Sequence, residues 1–230
     1  MKVVLVNSPL LGPSVWRSTG AALVRLGWDV QLPQPVDRTP VSPDDVLENL
    51  LGQLDADETT VLVAHSNAGL YVPALVERLA VVASVFVDAS LPPTTGSVLM
   101  APLAQQDRLK EMVDEAGLLP PWTHWWPEAV VGPLFPDAAA RAAVEAEQCQ
   151  LPLSYFTAGL SVPDGWSTRP SAYLAFSEPY QRQLELARSW GWPVRTHPGS
   201  HLQPLAAPDA VAASINELLG RLGRQPDSRG

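Results

Sequence analysis

Apolar residues along this chain fall into short unbroken runs, separated by stretches in which they recur at helical spacing. Residues 2–6 form a β-branched run closed by the turn-rich Asn7-Ser8-Pro9. Residues 16–26 carry apolar side chains at helical intervals, and Gly27 suits the left-handed residue that commonly ends a helix. Residues 28–32 return to strand character. Ser42-Pro43-Asp44-Asp45 reads as a helix start, with a capping hydroxyl, proline in the first position and acids in the first turn. That helix is expected to reach about residue 54. A second unbroken apolar strand covers 59–64, a helix 67–80 and a third such strand 83–87. Runs that are apolar at every position, rather than at alternate ones, are buried on both faces, as in a parallel sheet covered by helices.

The rhythm breaks between Ser90 and Pro170. This stretch has helical patches at 99–116 and 137–150 among loops rich in proline and tryptophan, notably Pro120-Pro121-Trp122-Thr123-His124-Trp125-Trp126. Alternation then resumes with a strand at 171–176, a helix at 179–190, a strand at 192–196 and a helix at 208–222. A tail from 223 to 230 is expected to be disordered. The prediction is a doubly wound, mostly parallel α/β sheet of about six strands. Residues 1–90 and 171–222 form its core, and residues 91–170 are inserted as a lid. The helical segments inside the insertion separate it from a long structureless loop, which would argue against the assignment.

Composition narrows the partners. The chain has 230 residues, 46% hydrophobic and 17% charged, enough for one domain with a buried core. Its formal charge of -9, with no basic cluster, would repel phosphate backbones, so nucleic acid is not expected. One cysteine, Cys149, excludes an internal disulfide and a thiolate zinc cluster. Neither cofactor nor metal is expected. The N-terminal apolar run is about five residues, shorter than the roughly 7–15 of a signal-peptide core. No segment approaches the ~20 apolar residues of a membrane span. A cytoplasmic protein without a membrane partner is the expectation, and a homodimer is left open.

The sharpest chemical signal is Ala64-His65-Ser66-Asn67-Ala68. A buried strand runs into a serine with small residues two positions to either side, and a helix follows at once. This is the steric requirement of a nucleophile elbow, with alanine where glycine is usual. The Asn67 N–H, at the start of that helix, can face a developing oxyanion. A serine here could also be an ordinary helix cap. Pro198-Gly199-Ser200-His201-Leu202 lies between the last strand and the last helix, where a turning loop can bring His201 over the sheet to take the Ser66 proton. His65 is read as pointing away from the site, His124 lies in the lid, and His197 comes too early. Two carboxylates compete to orient His201. Asp88 ends an apolar strand, where an acid needs a partner to be tolerated. Glu178 follows the strand at 171–176, where it could instead complement a helix dipole. Asp88 is preferred, with Glu178 as the alternative.

Taken together, the segment from Asn7 to Trp16, the Ser66 elbow, Phe86-Val87-Asp88-Ala89-Ser90-Leu91-Pro92 and Gly199-Ser200-His201-Leu202 resemble the α/β-hydrolase superfamily over essentially the whole chain. The likeness is to small lid-bearing members such as plant hydroxynitrile lyases and methylesterases and related actinobacterial hydrolases. It implies a reduced version of the fold, starting at the third strand of larger members, and an acid after the strand at 83–87 in some of them. It also implies a second oxyanion donor from the loop after the first strand. There the chain departs from the family: it has Asn7-Ser8 for the usual histidine and glycine, and Pro9 has no N–H at the position expected to donate. The Leu10 N–H or the Ser8 hydroxyl must substitute, or the hole is incomplete, a loss of roughly 10²–10³ in rate. Trp122, Trp125, Trp126, Phe135, Tyr155, Phe156 and Trp166 lie in the insertion, and too many to be buried in so small a cap. A roof of aromatic residues over Ser66 is therefore expected, for a hydrophobic or aromatic acyl group. The expected activity is hydrolysis of an ester or thioester through an acyl-enzyme, the substrate being a small molecule or carrier-bound. Acyl transfer, lyase chemistry of hydroxynitrile type and a binding protein without turnover are the alternatives.

Overall fold

The computed structural model describes residues 1–35 and 42–223, so the expected tail lies outside the described residues beyond Gly223. In chain order the core elements are β1 (Lys2–Val6), α1 (Arg17–Arg25), β2 (Asp29–Gln31), α2 (Pro43–Gln53), β3 (Thr60–His65), α3 (Val72–Arg78) and β4 (Val81–Val87). The insertion holds β5 (Gly96–Leu99), α4 (Leu103–Met112), α5 (Glu128–Val131), α6 (Ala138–Glu145), α7 (Leu153–Thr157) and β6 (Gly159–Val162). The core resumes with β7 (Ser171–Ala175), α8 (Gln181–Ser189), β8 (Val194–Thr196), α9 (Gln203–Ala206) and α10 (Pro208–Leu222).

Six strands form one sheet in the order β2-β1-β3-β4-β7-β8, every pair parallel. The unbroken apolar runs have the predicted consequence: all positions of β3 and β7 are buried. The chain leaves β1 in one direction to make β2, then crosses back to β3. Because crossovers are right-handed, connections that run in opposite directions lie on opposite faces. α1 therefore shares one face with α10, against which it packs, while α2 and α3 cover the other. The reversal puts the carboxyl ends of β1 and β3 at a switch point, where their loops diverge and leave a crevice.

Several local expectations change. The predicted helix at 67–80 is a tight 3-10 stretch over Ser66–Tyr71 that gives way to α3, whose first turn carries Pro73. The predicted helical patch at 99–116 is shorter, and it is preceded by β5, which pairs antiparallel with β6 to make a two-stranded stem at the root of the insertion. The capping box of α2 forms as its sequence requires: Ser42 Oγ accepts the Asp45 N–H, and the Asp45 side chain accepts the Ser42 N–H.

The insertion is tied to the core by polar contacts. The Glu147 carboxylate accepts the Ser14 N–H at 2.6 Å and pairs with Arg17. Gly12, at φ 75°, lies so close that an added Cβ would sit 2.5 Å from that of Glu147. No helix among the described residues is long and apolar enough to cross a membrane.

Candidate active site

Three loops at the carboxyl edge of the sheet bring Ser66, His201 and Asp88 into one hydrogen-bonded line. Ser66 follows β3 with φ 60°, and Asp88 follows β4 with φ 42°. These are the two non-glycine residues with positive φ among the described residues, and such strain persists only where its surroundings enforce it. The enforcement is visible. Tyr173, from β7, donates its hydroxyl to the Ala89 carbonyl and accepts the Ala89 N–H, while the Ser90 N–H bonds to the Ser66 carbonyl. Gly69 completes the fit, since a Cβ there would lie 2.2 Å from the Ser90 carbonyl oxygen.

The buried Asp88 carboxylate accepts the N–H groups of Phe176 and Ser177 and the Ser177 hydroxyl, and its Oδ2 lies 3.1 Å from His201 Nδ1. Burial pushes its pKa up. The hydrogen bond and charge of His201, with the Phe176 and Ser177 donors, outweigh burial and hold it below the usual carboxylate range. An ionised carboxylate can only accept, so the proton sits on His201 Nδ1. Nε2 is left as an acceptor for the Ser66 hydroxyl, 2.9 Å away. Glu178, the alternative acid, is exposed in the turn before α8.

The imidazole of His201 is clamped between two rings. Tyr180 stacks on one face, nearly parallel at 8° with centroids 4.9 Å apart, and its hydroxyl lies 3.4 Å from Ser66 Oγ. Burial pushes that hydroxyl up to about 12, so it stays protonated near neutrality. His65 covers the other face at 4.6 Å. The expectation that His65 points away from the site is therefore corrected: it lies beneath His201 and donates Nε2–H to the His201 carbonyl at 2.9 Å. Its Nδ1 is buried without a partner, and the ring meets Trp16 edge-on. Burial first, and then the nearby His201, push its pKa down to about 3, so it is neutral.

Asn67 is anchored by its side chain. Tyr71 and Tyr155 share a 2.6 Å hydrogen bond, Tyr155 donates to Asn67 Oδ1, and Asn67 Nδ2 donates to the Met100 carbonyl of the insertion. Its backbone N–H lies in the first turn after the elbow, where helical N–H groups lack an earlier carbonyl to bond. Of the two substitutes considered for the second donor, Ser8 is fully buried and turned inward: its hydroxyl accepts the Leu10 N–H at 3.2 Å. Leu10 itself lines the crevice beside Ser66.

The crevice opens into a cavity of about 610 Å³ roofed by the insertion, within the usual range for small-molecule sites. Trp122, Trp125, Trp126 and Phe156 line it, with Leu109, Val131 and Leu134. Trp122 faces His201 at 6.2 Å. Phe135, Tyr155 and Trp166 do not line it, and Trp166 packs against Phe86, Trp190 and Trp192 instead. As expected, the insertion's aromatic residues are not all buried: Trp125 and Trp126 stay partly exposed. Trp122, Phe135, Tyr155, Phe156 and Trp166 are buried. Among the described residues no group of three or more His, Cys, Asp or Glu could hold a metal ion.

Fold and site geometry together define the class: an α/β-hydrolase fold. No family model and no curated protein matches the sequence. Among solved structures the chain is similar to an extracellular α/β-hydrolase from a Paenibacillus species, described as sharing homology with tobacco salicylic acid binding protein 2. The identity is 18%, with 98% of this chain and 100% of that one covered and a TM-score of 0.75. It is also similar to a point mutant of tomato methylketone synthase I (18%, 96% and 98%, 0.72) and to the methylesterase MES16 from Arabidopsis (16%, 96% and 99%, 0.60). At such identities the likeness is one of fold.

Proposed function

We propose that the protein is a serine hydrolase acting through an acyl-enzyme on an ester or thioester with a hydrophobic or aromatic acyl group. The observation that carries this reading is the continuous line from Asp88 through His201 to Ser66, ending at the floor of an apolar cavity. Asp88 orients His201 and stabilises its protonated form, and His201 takes the Ser66 proton as Oγ attacks the carbonyl carbon. The Asn67 N–H and the Tyr180 hydroxyl face the oxygen on which charge develops, Tyr180 standing in for the loop donor that Pro9 lacks. His201 then protonates the leaving group, and water repeats the sequence to release the acid. The fold neighbours whose names include hydrolases and a methylesterase support an activity of this class.

A fluorophosphonate probe and p-nitrophenyl esters test the reading. Labelling and ester turnover are expected in the wild-type protein, and both should vanish in Ser66→Ala. An unlabelled serine in a folded protein would refute acyl chemistry. It would favour instead a lyase in which Ser66 and His201 only move protons, for which the engaged Leu10 N–H is the specific support.

A further inference from the structure

The cavity lining is uneven in charge. Among the described residues that line it there is no carboxylate, and Arg108 of α4 is the one side chain of fixed charge. Arg17, Arg25, Arg78, Arg141, Arg195 and Arg221 each pair with an acid, while Arg169, Arg182 and Arg188, like Arg108, have none among the described residues but do not line the cavity. Arg108 instead donates to the Trp125 carbonyl and lies over the Trp126 ring, 5.5 Å from its centroid. A guanidinium carries five donors in a fixed fork, so a single bond to a carbonyl leaves most of them open. Stacking on an indole holds the group in place without neutralising it.

The route from this cation to the reacting centre is lined by two indoles. Trp126 meets Trp122 at 5.0 Å, and Trp122 meets the His201 ring at 6.2 Å. The guanidinium is thus no more than three steps of about ring width from the catalytic imidazole, with aromatic faces between them. An extended ligand with its carbonyl at Ser66 would lay an apolar middle along those faces.

We infer that the substrate carries a negative charge, carboxylate or phosphate, at the end remote from the scissile carbonyl, and that Arg108 binds it. The inference rests on the acyl-enzyme reading for its orientation, but it is tested by binding, which needs no turnover. Two sources of the anion fit: an acyl chain ending in a carboxylate, or a leaving group carrying phosphates such as the coenzyme A thiol.

The experiment uses the full chain in a Ser66→Ala background, with tryptophan fluorescence as the readout. The first arm compares the monomethyl esters of a series of dicarboxylic acids with their uncharged dimethyl esters. The half-esters are expected to bind about tenfold more tightly than the diesters, the worth of a charge-assisted bond at a solvent-facing site. The advantage should peak at one chain length and shrink with added salt. It should fall to about unity in Arg108→Gln, invert in Arg108→Glu and be partly kept in Arg108→Lys. The second arm compares an acyl-coenzyme A with the same acyl group on an uncharged thiol, and the arm that responds to Arg108 identifies the source. Equal affinity for charged and uncharged ligands in both arms would overturn the inference. So would a loss in Arg108→Gln that is the same for both, since a residue that only props Trp126 would produce it. Loss of fluorophosphonate labelling, by contrast, would strike the acyl-enzyme reading and leave the binding ratios standing.

Discussion

Replacing His65 with phenylalanine is expected to make the protein less stable at neutral pH yet less sensitive to acid. In the folded chain His65 is neutral, with a pKa pushed down to about 3, whereas an unfolded chain protonates it near 6.5. Between those values the unfolded state binds a proton that the folded state does not. Stability from this group is therefore complete above 6.5 and is lost as pH falls through the window towards about 3. With 1.36 kcal/mol per unit, the loss is about 2 kcal/mol on going from pH 6.5 to about pH 4.5, and about 5 kcal/mol at full extent. Phenylalanine does not titrate, so this slope disappears. It also cannot donate to the His201 carbonyl, and leaving that buried acceptor bare costs about 1–3 kcal/mol at every pH. Urea unfolding of both proteins, from about pH 7.5 down to about pH 4.5, measures the difference. The gap between the stability curves should be widest at neutrality and close by about 2 kcal/mol at the acid end. A gap that stays constant across that range would refute the reasoning, because the titrating group would then lie elsewhere.

The two candidate acids separate cleanly. Asp88→Asn should lower kcat by roughly 10⁴, as when a triad acid loses the ability to fix the histidine tautomer, whereas Glu178→Gln, at an exposed position, should change p-nitrophenyl ester turnover little. The reverse ranking would move the orienting role to Glu178. Tyr180→Phe keeps the ring that stacks on His201 but removes the hydroxyl 3.4 Å from Ser66 Oγ. It should cut kcat about 10- to 100-fold with KM little changed, somewhat less than the loss of an oxyanion-hole donor, and an unchanged kcat would remove Tyr180 from the reaction.

The strands could be read from the chain because their signal is local. A run such as Val61-Leu62-Val63-Ala64 is apolar at every position, and only a strand covered on both faces satisfies it. The helix after Ser66 could be located but not shaped. A positive φ at Ser66 and Pro73 in the next turn impose a 3-10 start that apolar spacing does not encode. β5 and β6 were hidden for a different reason. Each is four residues long, and they pair across about sixty positions of chain, so neither run specifies its partner. Trp122 and Trp126 could be read as lid aromatics, but their alignment between His201 and Arg108 is a product of tertiary packing.

The site divides along the same line. Ser66 and Asp88 announce themselves because each breaks a rule: small neighbours around a serine at a strand end, and an acid on an apolar strand. His65 and Tyr180 break none. A histidine at a strand end and a tyrosine in a first helical turn are unremarkable as sequence. Their roles arise only when the loop after β8 folds back and inserts the His201 ring between them. The strained residues at 66 and 88 are likewise held by groups far away in the chain, Tyr173 through both polar atoms of Ala89, and Ser90 through the Ser66 carbonyl. Tyr173 sits at the centre of the buried strand β7, and Ser90 in the loop that follows β4. Residues that would perform the chemistry are thus marked locally, while those that hold them in working geometry come from other strands and loops and become visible only when the sheet is assembled.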